Sequence, residues 1–374
     1  MVVPNWACKF ALCAFCHRRQ SIDSGFLFFA AVGETRYASV NGILIIVRSA
    51  TMIDSDIMKC MQVRYVKLHF EIELVDGGQL PKDKASMLRG GMGRMLLMSN
   101  CIRDENCENC DFSEECLVQR MMYAHMKIRP AFMTQKDSEG YVLECENTDE
   151  DFYPGDLLEF NLLLFGNSIV YFNQYLQAFH ALGMRGLGKE KLRFRLSKVT
   201  NSSRELLLKD GIMYKERFRV RRIEEYVRYR LSWLEKEKQN QNTEDILLVF
   251  HTPLTLKFQK EFQDSLDPLP IMSAVERRLY ILNCYEGFKD GEDYERIAVA
   301  EHLPEKVDER VHTESMKRFS GTQNKGIVFK GIKGACRFSG VDDTALALLA
   351  AGELVHIGKN TSFGFGRYTM KGIK

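Results

Sequence analysis

The sequence predicts an α+β protein built from two tandem ferredoxin-like (βαββαβ) domains, with a glycine-rich loop near the C-terminus and a cysteine-rich insertion in the first domain. Three observations predict it. Residues 63–75 alternate apolar Val66, Leu68, Phe70, Ile72 and Leu74 with polar Lys67, His69, Glu71 and Glu73, the period of a half-buried strand. Segments 183–199 and 352–370 each pass from a helix through glycines to a basic strand. The two halves of the chain repeat one plan of strand, helix, strand material, helix, glycine-rich turn and strand.

The chain has 374 residues, enough for two domains. At 45% hydrophobic and 27% charged it has the composition of a soluble globular protein. A net charge of +2 excludes a broadly basic nucleic-acid binder, so any such site is a local patch. No apolar run reaches the roughly 18 residues that span a bilayer, so no membrane partner is expected. Eleven scattered cysteines, an odd number, point to reduced thiols in the cytoplasm and to a metal site, not to a disulfide scaffold.

Residues 1–57 show no sustained periodicity, although Cys8, Cys13, Cys16 and His17 make half a metal site. They lack the basic start and cleavage site of a signal peptide. They read as an appended or spurious extension, one source being an upstream start codon, with the main fold beginning near Met58 and Met61. The first domain is expected over 58–215, a basic helical connection over 216–243 and the second domain over 244–374.

After the first strand, where His69 is either solvated or part of a surface site, Asp83 or Lys84 opens a helix with Met87, Leu88, Met95 and Leu96 on its apolar side. Gly90, Gly91 and Gly93, flanked by Arg89 and Arg94, weaken that helix relative to alanine. They mark a close approach, either of a neighbouring element or of a ligand. Cys101, Cys107, Cys110 and Cys116 follow as C-x5-C-x2-C-x5-C. Four thiolates fill a tetrahedral zinc, so the metal would be structural and not catalytic. An iron–sulfur cluster and four unrelated thiols are the alternatives. A strand over 156–164 and a helix over 167–182 lead to Gly183, Gly186 and Gly188, set among Arg185, Lys189, Lys191, Arg193, Arg195 and Lys198. That segment either contacts phosphate or is a solvated strand face.

Onward, 221–238 reads as a helix, 246–250 opens a strand, 270–288 is a helix, 326–338 holds strand material and 342–351 is a short helix. The stretch 352–370, GELVHIGKNTSFGFGRYTM, leads into a last strand over 365–370. Gly358, Gly364 and Gly366 bracket Lys359, Asn360, Thr361 and Ser362, and Arg367 follows. Such a loop either grips phosphate through backbone N–H groups and its lysine, or is a plain glycine-rich turn. Two facing sheets would leave a central cleft lined by both glycine-rich turns.

GELVHIGKNTSFGFGRY resembles the C-terminal glycine-rich loop of the CRISPR precursor-crRNA-processing endoribonucleases of the RAMP superfamily. MLRGGMGRML with the cysteine cluster, ALGMRGLGKEKLRFRL, FHTPLTLK and KRFSGTQNKGIVFKGIKGACRFSG resemble further stretches of the family in order, so the resemblance covers about 63–374. It implies binding of CRISPR repeat RNA and metal-independent cleavage of precursor crRNA, in which a 2′-hydroxyl attacks the adjacent phosphate to leave a 2′,3′-cyclic phosphate. On this basis His356 is the expected acid or base, with Arg94 and Lys84 as electrostatic partners. Otherwise His356 is a strand histidine bonded to the backbone. The first helix lacks the histidine that the family often carries there. Gly358, Lys359, Gly364, Gly366, Arg367, Arg185, Lys189, Arg193 and Arg195 are the expected RNA-binding residues, while Phe363 and Tyr368 either stack bases or pack in the core. The alternative is a non-catalytic RAMP RNA-binding subunit of a CRISPR effector complex. An unrelated zinc-stabilised interaction module is a third reading.

Overall fold

The computed structural model describes the backbone of strands between 21 and 48, and residues 55–374 apart from 108–109, 123–125, 127, 134–139, 242, 321–324 and 374; side chains are described from Ile57 onward except 317–326. The chain divides into two compact units, Met1–Ile53 and Asp54–Lys374. In the first, Phe28–Val32, Thr35–Val40 and Ile43–Arg48 form an antiparallel sheet in that order, and Ser21–Ile22 pairs with Gly25–Phe26. The sequence showed no strand periodicity here because FFAAV and ILIIVR are short, nearly continuous apolar runs, and alternation cannot show in them. Cys8, Cys13, Cys16 and His17 lie outside the described residues.

The second unit opens with β1 (Arg64–Leu74), α1 (Lys84–Asn100), β2 (Tyr141–Glu144), β3 (Leu157–Phe165), α2 (Phe172–Arg185), β4 (Phe194–Thr200) and β5 (Leu206–Lys209). Its sheet is antiparallel in the order β5-β4-β1-β3-β2. The apolar residues of β1 enter the core, where Phe70 stacks on Phe160 at 4.9 Å and both meet Phe179 of α2. The opposite face is ionic: Lys198 pairs with Glu71 at 2.6 Å and Arg195 with Glu73 at 3.4 Å. His69 lies there, bonded to Asn161. Asp83 caps α1 by accepting from the Ser86 N–H at 3.3 Å.

Two of the three glycines of α1 serve the approach of a neighbouring element. A Cβ at Gly91 would stand 2.7 Å from Leu182, and one at Gly93 2.8 Å from Met122, so both serve helix packing. Gly90 has nothing within 4 Å.

After α3 (Ile223–Gln241) come β6 (Ile246–Leu254), α4 (Pro268–Glu286), β7 (Glu305–Ser320), β8 (Lys325–Ser339), α5 (Asp343–Val355) and β9 (Tyr368–Gly372). The sheet order is β7-β8-β6-β9. Counting only the strands of each repeat, both sheets run second–third–first–fourth. The long strand β7 left little sequence signal. Lys, Asp, Glu and Arg occur on both of its faces, and its pairing with β8 holds it extended. Helix α5, almost wholly apolar, is buried, and Tyr368 of β9 donates to the Leu349 carbonyl at 2.7 Å.

The two halves meet where α5 ends. His356 takes φ 57° there and turns back under the 358–366 loop. Its Nε2–H donates to Glu144 Oε1 at 2.9 Å, and Nδ1 lies 3.2 Å from the Phe365 carbonyl. Glu144 Oε2 receives Lys67 Nζ at 2.9 Å and Asn161 Nδ2 at 2.8 Å. His356 is 0% exposed and Glu144 4%. Burial opposes ionisation of Glu144, but Lys67 and the His356 bond hold its carboxyl well below the usual range. Burial lowers the His356 pKa, with Glu144 acting against that.

Two predictions follow from this packing. His69, His251 and His356 all have pKa values lowered first by burial. Each contributes stability that is complete above the unfolded value of about 6.5 and is lost as pH falls toward the lowered folded value. The melting temperature should therefore fall between about pH 7 and pH 5, and less steeply in His356→Gln; a flat wild-type profile refutes this. At Gly366 φ is +66°, and a Cβ would stand 1.8 Å from the Ile357 carbonyl. Gly366→Ala should cost about 1–3 kcal/mol or more, whereas Gly90→Ala should be neutral or stabilise by up to about 1 kcal/mol. Urea unfolding of the pair checks the contrast.

Candidate functional site

A cleft of about 3260 Å³ opens between the two halves. One wall is α1, with Arg89, Gly90 and Arg94, and the turn 186–191. The other is the start of α4, the segment 255–260 and the loop 358–363. Residues of both glycine-rich turns line it. Among the described residues its lining holds eleven Lys and Arg against seven Asp and Glu.

Local structure explains why cations reach this space. Leu187 and Leu192 are buried and bridge each other through hydrogen bonds of 2.8 and 2.9 Å. This pins the base of a tight turn and leaves Lys189 and Lys191 at its tip. Gly186 makes the turn possible: φ is +91°, and a Cβ would stand 2.0 Å from the Lys191 carbonyl. Across the cleft the Lys359 N–H donates to the Thr255 carbonyl at 2.9 Å, tying the 358–366 loop to the segment that follows β6.

Part of the loop's backbone is engaged in holding its own shape, while Asn360, Thr361 and Ser362 line the cleft. The N–H groups of Lys359, Phe363, Gly364 and Gly366 bond to Thr255, Asn360, Thr361 and Pro253 carbonyls, and that of Arg367 to Thr252 Oγ1. The loop also presents the Lys359 side chain. Gly364 serves a contact between the halves, because a Cβ there would stand 2.5 Å from the Leu143 carbonyl. Gly358 serves a contact within the second half, against the Thr255 carbonyl.

The expected site residues therefore separate. Arg185, Lys189, Gly358, Lys359 and Arg94 line the cleft. Arg94 is paired there with Glu105. Arg193, Arg195 and Arg367 are not part of the lining. Arg193 clasps Asp76 through two bonds of 2.8 Å, Arg195 meets Glu73, and Arg367 pairs with Glu146. His356 is enclosed in the tie to Glu144 and does not face the cleft. Lys84 is 1% exposed; it donates to the Pro81 carbonyl at 3.2 Å and to that of Asp149, and burial lowers its pKa. Tyr368 is core. Phe363 is nearly buried, with the Arg89 guanidinium 4.6 Å above its ring. Among the described residues no histidine lines the cleft, and His125 lies outside them.

Cys107 and Cys110 also line the cleft. Burial pushes the Cys107 thiol up, and the neighbouring Cys116, Cys101 and Cys110 thiols add to that. Four adjacent thiols suit zinc by their chemistry. Among the described residues, however, no three Cys, His, Asp or Glu side chains stand in a coordinating group.

Sequence patterning did not single out Glu144, Arg277 and Arg278, or the hairpin Lys257–Phe262. Glu144 is the lone charge in the apolar strand YVLE, and the two arginines interrupt the otherwise apolar start of α4. Both were readable signals. The hairpin turns through Gln259 and Lys260, which carry no turn signature.

The six cations Arg185, Lys189, Lys191, Lys257, Lys260 and Lys359 share one property: among the described residues none is in an ion pair. They come from both halves and converge on one space. Low-dielectric walls focus such a field and favour a polyanion.

Comparison with known proteins agrees with this architecture. Residues 62–225 match a family model described as an N-terminal domain, and 248–368 match the model of the CRISPR-associated endoribonuclease Cas6. No curated protein matches. A partial Cas6-RT-Cas1–Cas2 complex is similar at 12% identity over 83% of this chain and 46% of that chain, with a TM-score of 0.50. A Cas6-RT-Cas1–Cas2 complex is similar at 12% identity over 83% of this chain and 29% of that one, again at 0.50. A Cas6 product complex aligns at 16% identity over 82% and 98%, with a TM-score of 0.46. The chain thus spans less than half the length of the first two structures, and the likeness to them is one of fold. Residues 248–368 carry the assignment: that part of the chain is of the CRISPR-associated Cas6 type.

Proposed function

We propose that this protein binds CRISPR repeat RNA in the cleft and cleaves precursor crRNA there by metal-independent attack of a 2′-hydroxyl on the adjacent phosphate, leaving a 2′,3′-cyclic phosphate and a 5′-hydroxyl. The carrying observation is the set of six cations without carboxylate partners, drawn from both halves onto one cleft. The halves act as tandem ferredoxin-like domains; their shared strand order supports this. The protein works in the cytoplasm, and among the described residues no helix is long and apolar enough to cross a membrane.

The reaction builds charge on a phosphorane, and fixed cations around the cleft stabilise that charge more than the ground state. Arg94, Lys189 and Lys359 are the proposed groups, with in-line geometry supplied by the bound RNA. A lysine ammonium can also protonate the leaving 5′-oxygen. His356 and Lys84 are proposed as positioning residues: one holds the 358–366 loop on β2, the other ties the start of α1 to the Pro81 and Asp149 carbonyls. The absence of a cleft histidine among the described residues favours a second reading, a non-catalytic RNA-binding subunit of a CRISPR effector complex. Cys101, Cys107, Cys110 and Cys116 are proposed to hold a structural zinc; their spacing in the sequence supports it.

Incubation with the repeat RNA of its own genome in EDTA should give a single cut with a cyclic-phosphate end; tight binding without a cut selects the subunit reading. Lys189→Glu plus Lys359→Glu should weaken RNA binding at least about tenfold at 0.1 M salt and lower the salt slope by about one to two. Arg193→Glu plus Arg195→Glu, at ion-paired positions outside the cleft, should change binding far less. Equal losses in the two pairs would refute the cleft. Metal analysis should find near-stoichiometric zinc that Cys107→Ser plus Cys110→Ser loses; metal-free, freshly reduced wild type would sink the zinc.

A further inference from the structure

The hairpin Lys257–Phe262 is small, exposed and built against local preference. Lys257 pairs with Phe262 and Phe258 with Glu261, leaving a two-residue turn. Gln259 and Lys260 take φ of 49° and 71°. A two-residue turn with both φ positive ordinarily uses Asn-Gly or Gly-Gly, because other side chains are strained there. Here both positions keep long polar side chains, and both line the cleft. Strain held in a surface turn that carries no core contact calls for a use outside folding.

Phe262 supplies the second observation. It is 63% exposed, yet two ammonium groups stand over it, Lys359 Nζ at 5.1 Å and Lys257 Nζ at 5.7 Å from the ring centroid. Neither lysine is in an ion pair among the described residues, and both line the cleft. The ring therefore sits at the cleft rim, joined through Lys359 to the 358–366 loop. An exposed aromatic face beside cations that can meet phosphates is the arrangement on which an unpaired nucleobase stacks. A paired base in a duplex does not present its face to such a ring. A protein partner would require an apolar surround, and the hairpin instead offers Lys257, Lys260 and Glu261.

We infer that the hairpin Lys257–Phe262 is a stacking site for an unpaired nucleobase of single-stranded RNA, with Phe262 as the platform and Lys257, Lys260 and Lys359 on the flanking phosphates. This rests on the RNA-binding reading of the cleft and adds that one stretch of the RNA is held unpaired where it crosses the rim.

The test uses the full chain and a repeat RNA carrying 2-aminopurine at successive unpaired positions. Wild-type protein should quench the fluorophore strongly at one or two adjacent positions. Phe262→Ala should abolish that quench and weaken binding roughly five- to a hundredfold with the salt slope unchanged, since no charge is lost. Phe262→Trp should restore both signals, and because the side chain is exposed, Phe262→Ala should melt as wild type does. If RNA binds wild type but no position depends on Phe262, or if tryptophan fails to restore the quench, the stacking site is overturned and the cleft reading stands. If wild-type protein binds no RNA at all, both are overturned.

Discussion

A carboxylate withdrawn from water is unfavourable unless its charge is met at close range, and Glu144 is almost wholly withdrawn. It is met from three directions: Lys67 of β1, Asn161 of β3 and His356 at the end of α5. Two of these partners belong to the first half and one to the second. The bond to His356 therefore requires the halves to sit in one relation, with the 358–366 loop laid on β2. Gly364 permits the contact by bringing backbone against the Leu143 carbonyl with no Cβ between them. Removing one partner of such a buried pair generally costs about 3–5 kcal/mol, because the other charge is left uncompensated.

That constraint decides what the cleft can use. Holding the loop in place engages the N–H groups of Lys359, Phe363, Gly364 and Gly366 and encloses His356, so these are not presented to a ligand. What the cleft receives besides includes lysine and arginine side chains on short turns. Turns fixed at their base and exposed at their tip carry such groups with little cost to the core. The bridge between Leu187 and Leu192 and the bond from the Lys359 N–H to the Thr255 carbonyl are two versions of this device. The chemistry proposed for the site then lies in the placement of charge, which suits a reaction whose transition state differs from its ground state mainly in charge.

Most of the architecture was legible in the sequence, because periodicity and glycine position are local signals. The alternation of β1, the capped start of α1 and the succession of elements in both halves all show in the chain. β7 did not, because its charged residues fall on both faces and its extended form depends on pairing with β8. The strands within 21–48 did not, because apolar runs hide their period. The site was half legible. Lys189 and Lys359 stand in glycine-rich turns and reach the cleft, as their neighbours announce. Arg193, Arg195 and Arg367 look the same in sequence, yet each meets a carboxylate distant in the chain, Asp76, Glu73 or Glu146. Long-range pairing of this kind leaves no local trace, and for the same reason His356 looked available until Glu144 was seen beside it.

The distribution of carboxylates is what turns a nearly neutral protein into one with a basic cleft. A net charge of +2 describes the whole chain, in which 50 acidic residues nearly balance 52 basic ones. On the open face of the first sheet that balance is achieved pair by pair, with Glu71 on Lys198, Glu73 on Arg195 and Asp76 on Arg193. Each exposed pair adds little to stability. Its larger consequence is to cancel a field that would otherwise draw polyanions to the wrong face. In the cleft the matching carboxylates are withheld from six cations, which repel one another across a confined space. The proposed chain of phosphates would relieve that repulsion, and its affinity would be sensitive to salt for that reason. Selectivity for the cleft thus depends as much on the neutralised faces as on the cations themselves.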